Sequence, residues 1–162
     1  MLQGDPSPPA EPGQLVNDDE LRDILGHSRT IAVVGMSSSP GKTSFRVATY
    51  LKHAGYHVLP VNPHSEAIFG TTSYPDLGAI PDPVDIVQIF RPSETVIPIV
   101  EQAARIKAKV VWMQLGIANA AAAEIARAAG IKVVMDRCME VEHRRLIAGL
   151  GPSEGRGAGL SE

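Results

Sequence analysis

Five short apolar runs decide what this chain can fold into: TIAVVG (30–35), YHVLPVN (56–62), VDIVQIF (84–90), KVVWMQ (109–114) and IKVVMD (131–136). A strand with one wet face alternates apolar and polar side chains. These runs are apolar along most of their length and rich in β-branched residues, the pattern of strands covered by helices on both faces. Segments of helical period fill the gaps between them, and the connections are short. Strand alternating with helix in this way predicts a parallel sheet with right-handed crossovers.

The helical segments carry their own start and stop signals. One is expected over 18–25, with Asn17 as its N-cap. A second, over 44–54, puts Val47, Ala48, Leu51 and Ala54 on one face and stops at Gly55. A third, over 95–107, follows Ser93-Glu94, a cap-and-acid pair suited to the positive end of a helix, with Pro98 delaying the regular part. Asn119 opens an Ala-rich helix over 120–129 that ends at Gly130, and a last helix is expected over 140–147. The region 65–83 is less regular; it predicts a short strand near 68–72 and one helical turn at 76–80. The fold class is therefore α/β, a Rossmann-like doubly wound, mainly parallel sheet of about five strands with helices on both faces. It occupies 17–148, between two expected flexible tails, 1–16 and 149–162, whose proline, glycine and small polar residues cannot repay the entropy of ordering.

Composition narrows the function. The 162 residues suit one domain, and 44% apolar with 20% charged residues is an ordinary soluble balance. No window approaches the run of about 18–20 apolar residues that a membrane span needs, and the first residues have neither the basic nor the apolar part of a secretory signal. The single cysteine, Cys138, excludes an internal disulfide and fits a cytoplasmic location. A formal charge of −3 argues against nucleic acid as a partner. An anion site here has to be local.

The first strand-to-helix loop provides one. In doubly wound sheets, ligands bind at the carboxyl ends of the strands where chain order reverses. The loop is Gly35-Met-Ser-Ser-Ser-Pro-Gly-Lys-Thr-Ser44. Gly35 removes a side chain where backbone approaches a ligand. Ser37 and Ser38 bring hydroxyls, Lys42 brings charge, and the next helix points unpaired N–H groups at the same place. Two phosphate signatures are nearly present and both fail. A P-loop has four residues between its first glycine and Gly-Lys-[Ser/Thr], whereas five separate Gly35 from Gly41. A dinucleotide fingerprint needs glycine where Ser37 stands, and its second strand ends in an acid where this one ends in Val61-Asn62-Pro63. NAD(P) stays as an alternative on fold alone.

Taken together, VVGMSSSPGKTSFRVATYL (33–51), HVLPVNP (57–63), VDIVQIFRP (84–92), VVWMQLG (110–116) and VVMDRCMEVEH (133–143) resemble the small CoA-binding proteins of prokaryotes. These are stand-alone relatives of the CoA-binding domain in the α subunit of succinyl-CoA synthetase. The resemblance implies coenzyme A or an acyl-CoA as ligand. Phosphate oxygens would be received by Ser37 and the backbone of 38–41, with Lys42 as point charge and Thr43 or Ser44 capping the helix behind them. Asn62-Pro63 would stand beside the adenosine, and Phe90-Arg91 would add an apolar wall and a cation. Gln114 and Gly116 would line the route of the pantetheine arm. The synthetase's phosphohistidine domain has no counterpart here, so ligase activity is not implied and binding without a reaction of its own is expected.

Other readings compete at particular residues. Arg91 can pair with Glu94, Asn62-Pro63 can be turn chemistry, and Gln114 can satisfy backbone at a strand end. Cys138 and His143 both follow the last strand and invite a nucleophile-and-base reading, that is, an enzyme or enzyme subunit acting on an acyl-CoA or nucleotide. A regulatory subunit that senses CoA for a protein partner is a third class. The remaining histidines lack metal-site spacing. Trp112 reads as core, and Arg144 and Arg145 read as a solvated helix face.

Overall fold

The structure, a computed structural model, describes residues 16–64 and 67–148. The expected tails lie outside them except for Val16, which is buried against the core. Five parallel strands form the sheet: β1 (Thr30–Val34), β2 (His57–Val61), β5 (Ile86–Ile89), β6 (Val110–Met113) and β7 (Lys132–Val134), in the order β2-β1-β5-β6-β7. Between β2 and β5 a small antiparallel hairpin, β3 (Ala67–Ile68) with β4 (Thr71–Thr72), stands where one short strand was expected. Strand order runs outward from β1 to β2, then restarts on the other side of β1 with β5. The carboxyl ends of β1 and β5 therefore flank the switch point.

Burial of both faces follows from the uninterrupted apolar runs. On one face Ala32, Val34, Val87, Ile89, Val111 and Met113 pack with Val96, Val100 and Ala103 of α3 (Val96–Arg105) and with Ala122 and Ala126 of α4 (Ala120–Ala128). The small alanines let α4 sit close to the sheet. On the other face Ile31, Val33, Ile86, Val110 and Trp112 pack with Leu21 and Ile24 of α1 (Asp18–His27), Val47 and Leu51 of α2 (Thr43–His53), and Met139 of α5 (Met139–His143). Each fully buried Val, Leu, Ile or Met among them contributes about 1.5–3 kcal/mol relative to exposure.

Helix boundaries show where sequence signals were outweighed. Asn17 caps α1 in a reciprocal capping box with Glu20, as its spacing implies. Ser93-Glu94 does not cap α3. The segment Ser93–Thr95 forms a separate 3₁₀ turn, and the Ser93 hydroxyl accepts from Ala118 N–H (3.1 Å) instead. Pro98 then falls in the first turn of α3, where no intrahelical N–H is lost. The last helix continues past α5 as a π-helical turn, Arg144–Ala148.

Two charged tethers hold the molecule's periphery. Arg145 donates to both carboxylate oxygens of Asp18 (2.8 and 2.9 Å), tying the last turn to the start of α1. Arg144 bonds Glu140 and lies over the Tyr50 ring at 4.4 Å, so neither arginine is simply solvated. At the amino ends of the strands, Asp85 accepts from Arg29 N–H (2.8 Å) and Thr30 N–H (3.0 Å). Burial acts to raise the Asp85 carboxyl, but these N–H groups and Lys109 outweigh it and hold its pKa below the ordinary value.

Candidate functional site

The residues singled out as ligand contacts lie just past the carboxyl ends of β1, β2, β5 and β6 or, for Lys42, Thr43 and Ser44, at the start of α2. The loop after β1 begins at Gly35, whose φ of +86° is the left-handed region that favours glycine. Its N–H donates across to Val61 O (3.1 Å). Within the loop, Ser37 N–H donates to the Ser44 hydroxyl (3.0 Å) and Ser39 N–H to the Ser37 hydroxyl (3.0 Å). The loop is thus shaped by its own serines. Ser44 is buried, so its oxygen serves the loop's fold, while Ser38, Lys42 and Thr43 are exposed.

The start of α2 differs from the expectation. Lys42 is the N-cap residue, and no side chain caps the helix; neither Thr43 nor Ser44 does so, because Ser44 sits inside the first turn and is engaged with Ser37. By contrast α1 and α4 are capped by Asn17 and Asn119. Among the described residues no side chain bonds the first-turn N–H groups of α2, and the helix dipole gives this end partial positive charge. Lys42 stands beside it, and among the described residues no carboxylate pairs with either Lys42 or Arg91. The Arg91–Glu94 pair does not form.

The neighbouring loops are locked to this one. Asn62 donates from Nδ2 to Met36 O (3.1 Å) and accepts His64 N–H at Oδ1 (2.7 Å), so its amide acts as a latch between the loops after β2 and β1. Pro63 lies in the exposed turn beyond it. Phe90 is half-buried, and its N–H donates to Val34 O (2.9 Å). Arg91 follows it, exposed at the switch point. The loop after β5 is in turn joined to the loop after β6, where Asn119 Nδ2 donates to Ser93 O (2.9 Å).

Gln114 is buried and accepts from Gln88 Nε2 (3.2 Å) and from Met139 N–H (3.3 Å), so it does satisfy backbone. Gly116, at φ +88°, donates to Asp136 Oδ1 (2.7 Å), and nothing lies within 4 Å of where a Cβ would stand. Sequence reasoning missed Gln88 and Asp136. Gln88 was visible as the one neutral polar residue in an apolar run, whereas Asp136, with φ +60°, carried no signal.

Cys138 and His143 are not brought together as a nucleophile and base. His143 is buried, shares a hydrogen bond with the Tyr50 hydroxyl (2.8 Å at Nδ1) and packs edge-on against Tyr56. Burial, with Arg144 nearby, lowers its pKa below the usual histidine value. The Tyr56 hydroxyl is pushed up to about 12 by burial and donates to Leu25 O. These are structural partners. Among the described residues no cluster of histidine, cysteine or carboxylate side chains could hold a metal, and no helix is long and apolar enough to cross a membrane.

A cleft opens at the opposite edge, between Asp23, His27, Lys107, Lys109 and Lys132. Lys132 and Lys109 there face Asp23 (3.8 Å) and Asp85 (3.5 Å). Helices α1, α3 and α4 all end at this edge, and their partial negative charge is unfavourable to an anion.

Known proteins share the sequence and fold of this chain. The uncharacterized protein YneT of Bacillus subtilis is 38% identical over 124 residues, covering 76% of this chain and 92% of that one. A hypothetical protein from Pyrococcus horikoshii has the same fold with a TM-score of 0.81 and 38% identity, over 85% of this chain and 97% of its own. An ADP-forming acetate–CoA ligase of Archaeoglobus fulgidus is 29% identical over 153 residues, but the match spans only 22% of that protein. Residues 29–144 match the CoA binding domain family, and the chain belongs to it.

Proposed function

We propose that this chain binds coenzyme A or an acyl-CoA along the carboxyl edge of its sheet, phosphates at the loop 35–44, and catalyses no reaction of its own. Membership of the CoA binding domain family supports the ligand class. The observation that carries the reading is the uncapped start of α2 at Lys42, with the Arg91 stem packed over Gly35 at the head of the same loop and, among the described residues, no carboxylate paired to either cation. Coenzyme A brings a pyrophosphate and a 3′-phosphate, and such oxygens bind well where backbone N–H groups, a helix N-terminus and cations converge.

The residues present fit the group by chemistry. Donors for phosphate are concentrated at one loop, a half-buried phenyl ring stands at the end of β5, and an open turn at Gly116 leaves room for a thin arm. In this reading Ser37, Ser44 and Asn62 act mainly by holding the loops in shape, and Ser38, Lys42, Thr43 and Arg91 face the ligand. Calorimetric titration of the purified chain with CoA, NAD, NADP and ATP tests the proposal. Saturable CoA binding, tighter than that of NAD, is the expected result; clear NAD binding with no CoA binding at millimolar concentration overturns it.

A further inference from the structure

Gly35 is explained only in part by its backbone angle. Gly55, Gly70, Gly116 and Gly130 also have positive φ, and at each of them the space a Cβ would fill is empty out to 4 Å. At Gly35 that space is taken. A Cβ there would stand 2.7 Å from Arg91 Cδ, closer than real Cβ atoms come, and 3.2 Å from Arg91 Cγ and 3.1 Å from Phe90 O, tighter than most real contacts. The aliphatic stem of Arg91 therefore lies across Gly35.

Sheet register explains how the two meet. Val34 pairs with Ile89, and Phe90 N–H donates to Val34 O, so the chain after β5 leaves the sheet directly beside the first residue of the loop after β1. The stem crosses the backbone of Gly35, just past the end of β1, the strand at which chain order reverses. The loop that Gly35 opens ends at Lys42 and the uncapped start of α2. A guanidinium offers a planar fork of donors that matches two oxygens at once, which a lysine cannot do.

We propose that Gly35 is a positioning residue for Arg91, and that the pair forms one jaw of a clamp on a diphosphate ester, the other jaw being Lys42 with the first turn of α2. Gly35 thus serves the ligand through Arg91 and not by giving the ligand its own space. The choice of diphosphate rests on the coenzyme A reading above; the delivery of Arg91 over Gly35 rests on packing alone.

A double-substitution cycle tests both parts. Thermal melting and titration with CoA and with ADP are measured on the full chain, on Gly35→Ala, on Arg91→Ala and on the double variant. In melting, Gly35→Ala is expected to lower the midpoint and Arg91→Ala to restore part of that loss, because the obstructing stem is gone. In titration, each single variant is expected to bind CoA at least tenfold more weakly, and the double variant no more than twofold worse than the weaker single. Arg91→Lys, which keeps the charge and loses the fork, should stay well below the unsubstituted chain. Losses that multiply in the double variant, or unchanged affinity in Arg91→Ala, overturn the clamp while leaving CoA binding in place. Arg91-dependent ADP binding without CoA binding upholds the clamp and overturns the coenzyme A reading. Binding of neither ligand overturns both.

Discussion

At the residue scale, the site divides into side chains that face outward and side chains already spent on the fold. Lys42 is the clearest of the first kind, an exposed cation at the start of α2. Lys42→Ala should weaken CoA binding by about 1–3 kcal/mol, the range for losing a charge-assisted hydrogen bond, with the melting temperature nearly unchanged. Titration and melting curves on the same preparation check both halves of that statement. His143 belongs to the second kind. Its folded pKa lies below the ordinary 6.5, so the unfolded chain binds the proton more readily as pH falls past that value. Stability conferred by neutral, buried His143 is complete above about pH 6.5 and declines as pH falls toward the depressed folded value. Denaturant unfolding from pH 7.5 to 5 should show that decline, and His143→Gln should flatten it. The partners of such residues were not legible in the sequence. Spacing gave Ser44 and Asn62 as polar groups beside the site, but that Ser44 would accept from Ser37 and Asn62 would reach Met36 depends on loop paths the residue types do not specify.

At the element scale, the loops at the carboxyl edge behave as one braced surface. Asn62 ties the loop after β2 to the loop after β1, and Ser93 with Asn119 ties the loop after β5 to the loop after β6. Asn62→Ala should therefore cost about 1–3 kcal/mol of stability, since it leaves a part-buried carbonyl without its donor, and should weaken CoA binding by loosening the loop after β1. Chemical unfolding and titration of that variant measure the two effects. A variant with full stability and wild-type affinity would show that the latch is dispensable. The elements themselves were well legible, because strands buried on both faces need continuous apolar runs and helices leave caps and glycine stops in the sequence. Boundaries failed where a tertiary contact outbid a local signal. Ser93 looked like a cap for α3 yet bonds Ala118, and the pattern at 68–72 held a hairpin where a single strand was expected.

At the scale of the whole molecule, the arrangement sets two unlike edges against each other. Helix α2 starts at the carboxyl edge beside Lys42, and Arg91 lies over Gly35 at the same edge, while α1, α3 and α4 end at the amino edge among lysines that face Asp23 and Asp85. The alternation of strand and helix dictated a parallel doubly wound sheet, but the order β2-β1-β5-β6-β7 could not be read from it, since the same alternation allows other orders. The order matters because it puts Arg91 beside Gly35. Backbone amide shifts of the isotope-labelled chain during titration with CoA give the most direct test. The predicted result is saturable shifts concentrated at 35–44, 62–64, 90–92 and 114–116, with Asp23, Lys107, Lys109 and Lys132 unmoved. Shifts gathered at those amino-edge residues instead, or no shift at millimolar CoA, would contradict the account.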